Sequence, residues 1–243
     1  MAHFTSQSSF ELRFEWGEPG LAALARDAAT FVVVDVLSFT TCVSLACARG
    51  ASVLPFLWHD ERVRAFAAER GALVAGPRWD SSGYSLSPAS LATVPGGTRI
   101  VLPSPNGSQL SFLAAQSGAV YAGSLRNASA VAARLNERAG PCAVIAAGER
   151  WPDARLRPAA EDLIGAGAIL ARLRGSRSPE AELACAAWRA AEPQLARVLH
   201  ECASGVELAE RGFARDVELA AELDADPVAP RLREGVFEHE AEP

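Results

Sequence analysis

The chain has 243 residues, of which 49% are hydrophobic, and its net charge at neutral pH is −6. This hydrophobic content can fill the core of one large domain, whereas the negative charge argues against binding to nucleic acid or to a membrane surface. No apolar run approaches the roughly 20 residues of a membrane-spanning helix, and the first residues lack the basic-then-apolar layout of a signal peptide. We therefore expect a cytoplasmic protein; the composition leaves open whether it forms a homo-oligomer.

Short apolar runs alternate with segments of helical periodicity, which is typical of a largely parallel α/β sheet. Residues 31–37 predict a buried strand, 39–50 a helix and 52–57 a second strand. An amphipathic helix at 60–71 and a strand at 72–76 complete this first part of the chain. A segment rich in Pro, Ser and Gly follows and is long enough to be functional rather than a simple connection.

Three strand-loop-helix units then follow one another, at residues 98–118, 119–140 and 141–174. Beyond residue 175 the sequence predicts helices rich in Ala, Glu and Arg, and residues 228–240 predict an edge strand with an acidic tail. We expect a compact, layered α/β fold with a largely parallel sheet flanked by helices and a helical C-terminal part. It forms one domain over residues 1–243, or two closely packed lobes divided near residue 175.

Polar side chains are concentrated where the predicted strands end. Because the carboxyl ends of parallel strands lie at one edge of a sheet, the loops that follow them should converge in space. These side chains are Asp35, Ser38, Thr40, Thr41, Ser104, Asn106, Gly107, Ser108, Glu149, Arg150, Glu161 and Asp162. Hydroxyls and the amides of helix N-termini bind oxyanions, and carboxylates hold a hard cation such as Mg²⁺ beside a phosphate. The sequence therefore predicts a site for a small anionic phosphorylated substrate.

Each motif also has a purely structural explanation. Ser and Thr cap helices, the pair Glu161-Asp162 at a helix start is stabilised by the helix dipole, and Asn106-Gly107 suits a turn. Asp35 interrupts an apolar strand, where the alternative to function is a buried acid that accepts hydrogen bonds from backbone N–H groups. The chain has no GxGxxG, GxxxxGK[ST] or GxSxG motif, which disfavours dinucleotide cofactors, P-loop chemistry and the α/β-hydrolase mechanism.

Several motifs occur together and in order from about Phe31 to about Val236. They are Asp35-Val-Leu-x-x-Thr-Thr, Ser104-Pro-Asn-Gly-Ser, Gly148-Glu-Arg with Glu161-Asp162 and a Gly-Ala-Gly helix, and the tail Ser204-Gly…Gly212…Asp216…Pro230. This set resembles the 2-phosphosulfolactate phosphatase (ComB-type) family. The resemblance implies a compact α/β fold and Mg²⁺-dependent hydrolysis of 2-phosphosulfolactate to sulfolactate and phosphate, a step of coenzyme M biosynthesis.

The resemblance also implies roles for individual residues. Asp35, Glu161 and Asp162 are expected to act in catalysis, and the same three residues with Asp216 to bind the metal. Asp216 is implied by the resemblance alone, because an acid on a late helix gives no signal of its own. The expected substrate-binding residues are Ser38, Thr40, Thr41, Arg78, Ser104, Asn106, Gly107, Ser108 and Arg150.

Two departures from the family pattern define the alternatives. Ser38 stands where the family usually has arginine, and the loop at 83–88 is shorter and lacks the family's Asp and Asn. One alternative is a non-catalytic protein that binds phosphate or sulfonate on the same scaffold. The other is a phosphatase with a different small substrate.

Overall fold

The computed structural model of the chain describes residues 4–57, 61–79 and 83–240. The strands are β1 Leu12–Trp16, β2 Thr30–Val34, β3 Ser52–Phe56, β4 Leu73–Val74, β5 Arg99–Pro103, β6 Ala119–Gly123, β7 Cys142–Ala146, β8 Glu149–Arg150, β9 Leu156–Arg157, β10 Pro230–Arg233 and β11 Val236–His239. The α-helices are α1 Gly17–Leu24, α2 Phe39–Ala48, α3 Glu61–Glu69, α4 Pro88–Leu91, α5 Gly107–Ala115, α6 Ala128–Asn136, α7 Ala160–Arg172, α8 Pro179–Ala191, α9 Leu195–Glu201, α10 Ala203–Glu210 and α11 Ala214–Ala220.

One large mixed sheet organises the molecule, in the order β1-β7-β2-β6-β10-β11-β3-β5-β4. Strands β1, β7, β2 and β6 form one parallel block, and β3, β5 and β4 form another. The hairpin β10–β11 joins the two blocks through antiparallel pairs on both of its sides. The predicted α/β class with a largely parallel sheet is confirmed. The predicted edge strand at 228–240 is wrong in its position, because this segment forms a hairpin inside the sheet.

The hairpin reverses the direction of the second block. Three antiparallel pairings separate β6 from β3, so β3, β5 and β4 run opposite to β2, β6 and β7. The carboxyl ends of β2, β6 and β7 therefore lie at one edge of the sheet, and the carboxyl end of β5 does not. The turn after β5 nevertheless reaches the end of β2, because helix α5 packs across β2 and β6.

Strand β2 lies between β7 and β6 in the first parallel block and is buried over its whole length. Val32 and Val34 point into one apolar core with helices α6, α7 and α8. Phe31 and Val33 point into a second core with α1, α2 and α5. Side chains of a strand alternate between the two faces of a sheet, so an uninterrupted apolar strand requires helices on both faces. The end of β2 is consequently held from both sides.

The C-terminal part is helical up to α11, as predicted, before the chain returns to the sheet as β10 and β11. The division into one domain or two lobes stays a prediction. Within the described part of the chain, no helix has both the length and the apolar character needed to cross a membrane.

The contact between α7 and α8 requires glycine at position 167. A Cβ on Gly167 would lie 2.0 Å from the carbonyl oxygen of Ala184 and 2.9 Å from Cβ of Trp188. We expect Gly167→Ala to lower the free energy of unfolding by about 1–3 kcal/mol or more, because the helices must move apart. Urea unfolding measures this change.

Gly83→Ala is the matched control for this substitution. No heavy atom of the described residues lies within 4 Å of a Cβ built at Gly83. Equal losses of stability in the two variants would contradict the role of close α7–α8 packing.

Candidate active site

Asp35 follows β2 directly and is 7% exposed. Its Oδ1 accepts a hydrogen bond of 3.1 Å from the backbone N–H of Phe39, the first residue of α2. Its Oδ2 accepts one of 3.1 Å from the N–H of Gly107, the first residue of α5. A buried carboxylate is therefore held between the N-termini of two helices, where free N–H groups and the helix dipoles favour negative charge. The amides that were predicted to form an anion seat are already hydrogen-bonded to Asp35.

The first turn of α7 brings two further buried acids to the same place. Asp162 Oδ1 accepts from the N–H of Val36 at 2.7 Å, and its Oδ2 accepts from the N–H of Gly148 at 2.8 Å. These bonds tie α7 to the ends of β2 and β7. Glu161 is 2% exposed, and its Oε2 is buried without a hydrogen-bond partner among the described residues. A buried carboxylate oxygen in that state is open to a cation.

Glu149 adds a fourth acid, for which the resemblance gave no role although it stands at a predicted strand end. Its Oε2 accepts from Nδ2 of Asn106 at 3.3 Å. The pKa of Glu149 is raised to about 7, chiefly by burial and also by the charges of Asp35 and Glu161, while Arg157 lowers it. This carboxyl group therefore titrates near neutral pH.

Asp35 and Asp162 also have raised pKa values. The pKa of Asp35 is raised to about 6. Burial is the largest cause and the charge of Glu161 adds to it, whereas the hydrogen bonds from the N–H groups of Phe39 and Gly107 lower the pKa. Burial raises the pKa of Asp162 well above its usual range, with Glu161 and Asp35 adding to the effect. Acids that raise one another's pKa lie within electrostatic range of one another.

An open cavity of about 420 Å³ adjoins the acids. Asn106, Glu149 and Arg150 line it, together with residues of α1 and α5. Arg150 is exposed, and its Nη1 donates to the carbonyl oxygen of Ala154 at 3.2 Å. The cavity can hold a small acidic molecule with one end at Glu149 and the other near Arg150.

Arg78 enters the site from the loop that precedes α4. Its Nη2 donates to Oγ of Ser38 at 2.9 Å, and its Nη1 donates to Oδ2 of Asp216 at 2.5 Å. Asp216 is 1% exposed, and its Oδ1 also accepts from Oγ of Ser87 at 2.5 Å and from the N–H of Ala89 at 3.1 Å. Sequence reasoning missed Ser87, because a serine in a loop of serines gives no signal.

The predicted hydroxyl ligands are bonded to the backbone. Thr40 Oγ1 accepts from the N–H of Asp35 and donates to its carbonyl oxygen, and Thr41 Oγ1 donates to the carbonyl of Val36. Ser108 Oγ accepts from the N–H of Phe56. All three hydroxyl residues are fully buried, and Ser104 is 2% exposed. The geometry supports the structural alternative for them, and their contact with substrate stays a prediction.

The predicted metal ligands differ in what they offer. The described residues contain no group of three or more His, Cys, Asp or Glu side chains arranged to hold a metal ion. Magnesium, however, often uses one or two carboxylates, with water and substrate phosphate completing its shell. The unpartnered oxygen of Glu161, whose charge raises the pKa of Asp35 and of Glu149, can supply one such carboxylate. Both oxygens of Asp162 and of Asp216 accept hydrogen bonds, as those of Asp35 do, and a metal role for Asp162 and Asp216 stays a prediction.

Fold and site together define an α/β protein with an acid-lined pocket for a small molecule. The family model described as 2-phosphosulpholactate phosphatase matches residues 21–235. The chain belongs to this family.

Curated relatives agree with this assignment. A probable 2-phosphosulfolactate phosphatase of Carboxydothermus hydrogenoformans is 32% identical over 215 residues, which cover 84% of this chain and 87% of the relative. Proteins with the same description from Symbiobacterium thermophilum and Thermotoga maritima are each 29% identical, over 84% and 86% of this chain and 91% of each relative.

The raised pKa values predict how stability depends on pH when no metal is present. The unfolded chain ionises Glu149 near pH 4.5 and the folded chain near pH 7, so this group's contribution to stability is complete below pH 4.5 and is lost as the pH rises to about 7. Glu149→Gln removes this loss. We expect the melting temperature of the variant, relative to wild type in EDTA, to increase between pH 4.5 and 7.

Differential scanning fluorimetry over this pH range measures the effect. Glu210→Gln, at an exposed position of α10, is the control and should give a constant difference from wild type. A pH-independent difference for Glu149→Gln would show that Glu149 titrates normally in the folded protein.

Proposed function

We propose that this protein is a Mg²⁺-dependent phosphatase that hydrolyses 2-phosphosulfolactate to sulfolactate and phosphate. The observation that carries the proposal is the buried, unpartnered oxygen of Glu161 in a group of acids of which one, Glu149, lines an open cavity. The family and the descriptions of its relatives support the choice of substrate.

Glu161 would hold the metal together with Asp35 and Glu149. Asp35 has one further lone pair on each oxygen beyond its bond to a helix amide, so it can meet a cation and keep its place. When bound, Mg²⁺ supplies charge neutralisation for the phosphoryl oxygens and lowers the pKa of a water molecule. Asp162 would support this group indirectly, because its hydrogen bonds hold the first turn of α7 against the ends of β2 and β7.

The remaining charge of the substrate is matched by arginines. 2-Phosphosulfolactate carries a carboxylate and a sulfonate besides its phosphate, and arginine binds such groups in a bidentate manner. Arg150 at the cavity and Arg78 at Ser38 are the predicted binders. Asn106 lines the cavity and orients Glu149 through its amide. These residues orient the substrate so that its phosphate lies at the acids.

A second candidate is a protein that binds phosphate or sulfonate without catalysis. The observation that favours it is that the helix amides at Phe39 and Gly107 are used by Asp35, so they are not free to stabilise the transition state of phosphoryl transfer. A binder would gain thermal stability from ligand and release no phosphate.

Phosphate release from 2-phosphosulfolactate with and without Mg²⁺ tests the proposal. We expect metal-dependent turnover, and we expect Glu161→Gln to lower kcat at least about 100-fold because the unpartnered oxygen loses its charge. Glu210→Gln should leave the rate unchanged.

Thermal stabilisation of the wild type by the substrate without phosphate release would favour the binding protein. Full activity of Glu161→Gln would contradict the assignment of the metal to this group.

A further inference from the structure

The loop that carries Arg78 is fixed at both of its ends by a single carboxylate. Asp216 on α11 accepts from Arg78 at the start of the loop and from Ser87 and Ala89 at its end. With Asp216 1% exposed, its charge is compensated inside the protein by the guanidinium and by these two donors. The position of Arg78 therefore depends on an acid whose two oxygens both accept hydrogen bonds within the protein.

Arg78 remains reachable from solvent although Asp216 is not. The side chain of Arg78 is 15% exposed, and its guanidinium carbon lies 5.4 Å from the ring centroid of Phe213. Its second nitrogen donates to Ser38 at the start of α2. The charge of Arg78 thus lies on the α2 side of Asp35, whereas Arg157 is the cation that acts on Glu149.

We propose that Asp216 is a positioning residue that holds Arg78 at Ser38, where the guanidinium binds the acidic group of the substrate that lies away from the phosphate. The inference rests on the proposed function and adds a role for Asp216 other than metal binding. In the proposed function the phosphate lies at Glu161, so the cation on the α2 side would bind the sulfonate or carboxylate of the substrate. The hydroxyl of Ser38 and the carboxylate of Asp216 together fix the direction of this guanidinium.

Steady-state kinetics of Arg78→Gln, Asp216→Asn and the double variant test this role. We expect each single variant to raise KM about 10- to 100-fold, the range for losing a hydrogen-bonded charge, with a smaller change in kcat. The double variant should be no worse than Arg78→Gln, because both changes remove the same interaction.

Asp226→Asn is the matched control. Asp226 is 5% exposed and also pairs with an arginine, Arg126, through bonds of 2.8 and 2.9 Å. This variant should lose stability and keep its KM. A KM for Asp216→Asn equal to that of Asp226→Asn, in an active wild type, would overturn the positioning role and leave the phosphatase assignment intact.

A second measurement does not require turnover. Inorganic sulfate should raise the melting temperature of wild type and Asp226→Asn, and it should have little effect on Arg78→Gln and Asp216→Asn. Equal shifts in all four proteins, or no shift in wild type, would overturn the inference whether or not the protein is a phosphatase.

Discussion

The carboxylate of Asp35 between two helix N-termini is the interaction on which the site depends. One oxygen accepts from the start of α2 and the other from the start of α5, although these helices follow strands that run in opposite directions. A neutral side chain there would leave two helix ends without a compensating charge. The same bonds fix where the remaining acids and the cavity lie, because Asn106 directly precedes α5 and the end of β2 receives Asp162.

The hydrogen bonds that the protein donates to Asp35 do not explain why further acids surround it. Asp35, Glu149 and Asp162 all have raised pKa values, and the charge of Glu161 is among the causes for each. Stability alone would favour apolar residues of similar size at such positions. Retaining several acids that raise one another's pKa, one with an unpartnered oxygen, is the expected cost of holding a cation against a phosphate.

The sequence predicted the parts of the fold that depend on local pattern. The apolar run of β2 and the helix after it appear as predicted, since a strand buried on both faces has a simple signature. The hairpin at 230–239 was predicted at an edge, because its partners in the sheet are distant in sequence and leave no local trace. For the same reason the reversal of β5 was not expected, and the Asn106 turn reaches Asp35 by a different route from the one anticipated.

The sequence indicated which residues gather at the end of β2 more than which of their groups are available for binding. The types of residue indicated an anion and a cation at the ends of strands, but hydrogen-bond partners decide which groups are available, and these depend on packing. Thr40 and Thr41 donate hydrogen bonds to backbone carbonyls, Asp216 accepts from a loop, and Glu149 joins the acids.

Whether the acids form one cation site is tested by isothermal titration calorimetry of Mg²⁺ binding at pH 6.5 in two buffers of different ionisation enthalpy. Mg²⁺ should bind and release protons, because raised pKa values leave these carboxyls partly protonated until the metal binds. Absence of binding, or binding without proton release, would contradict it.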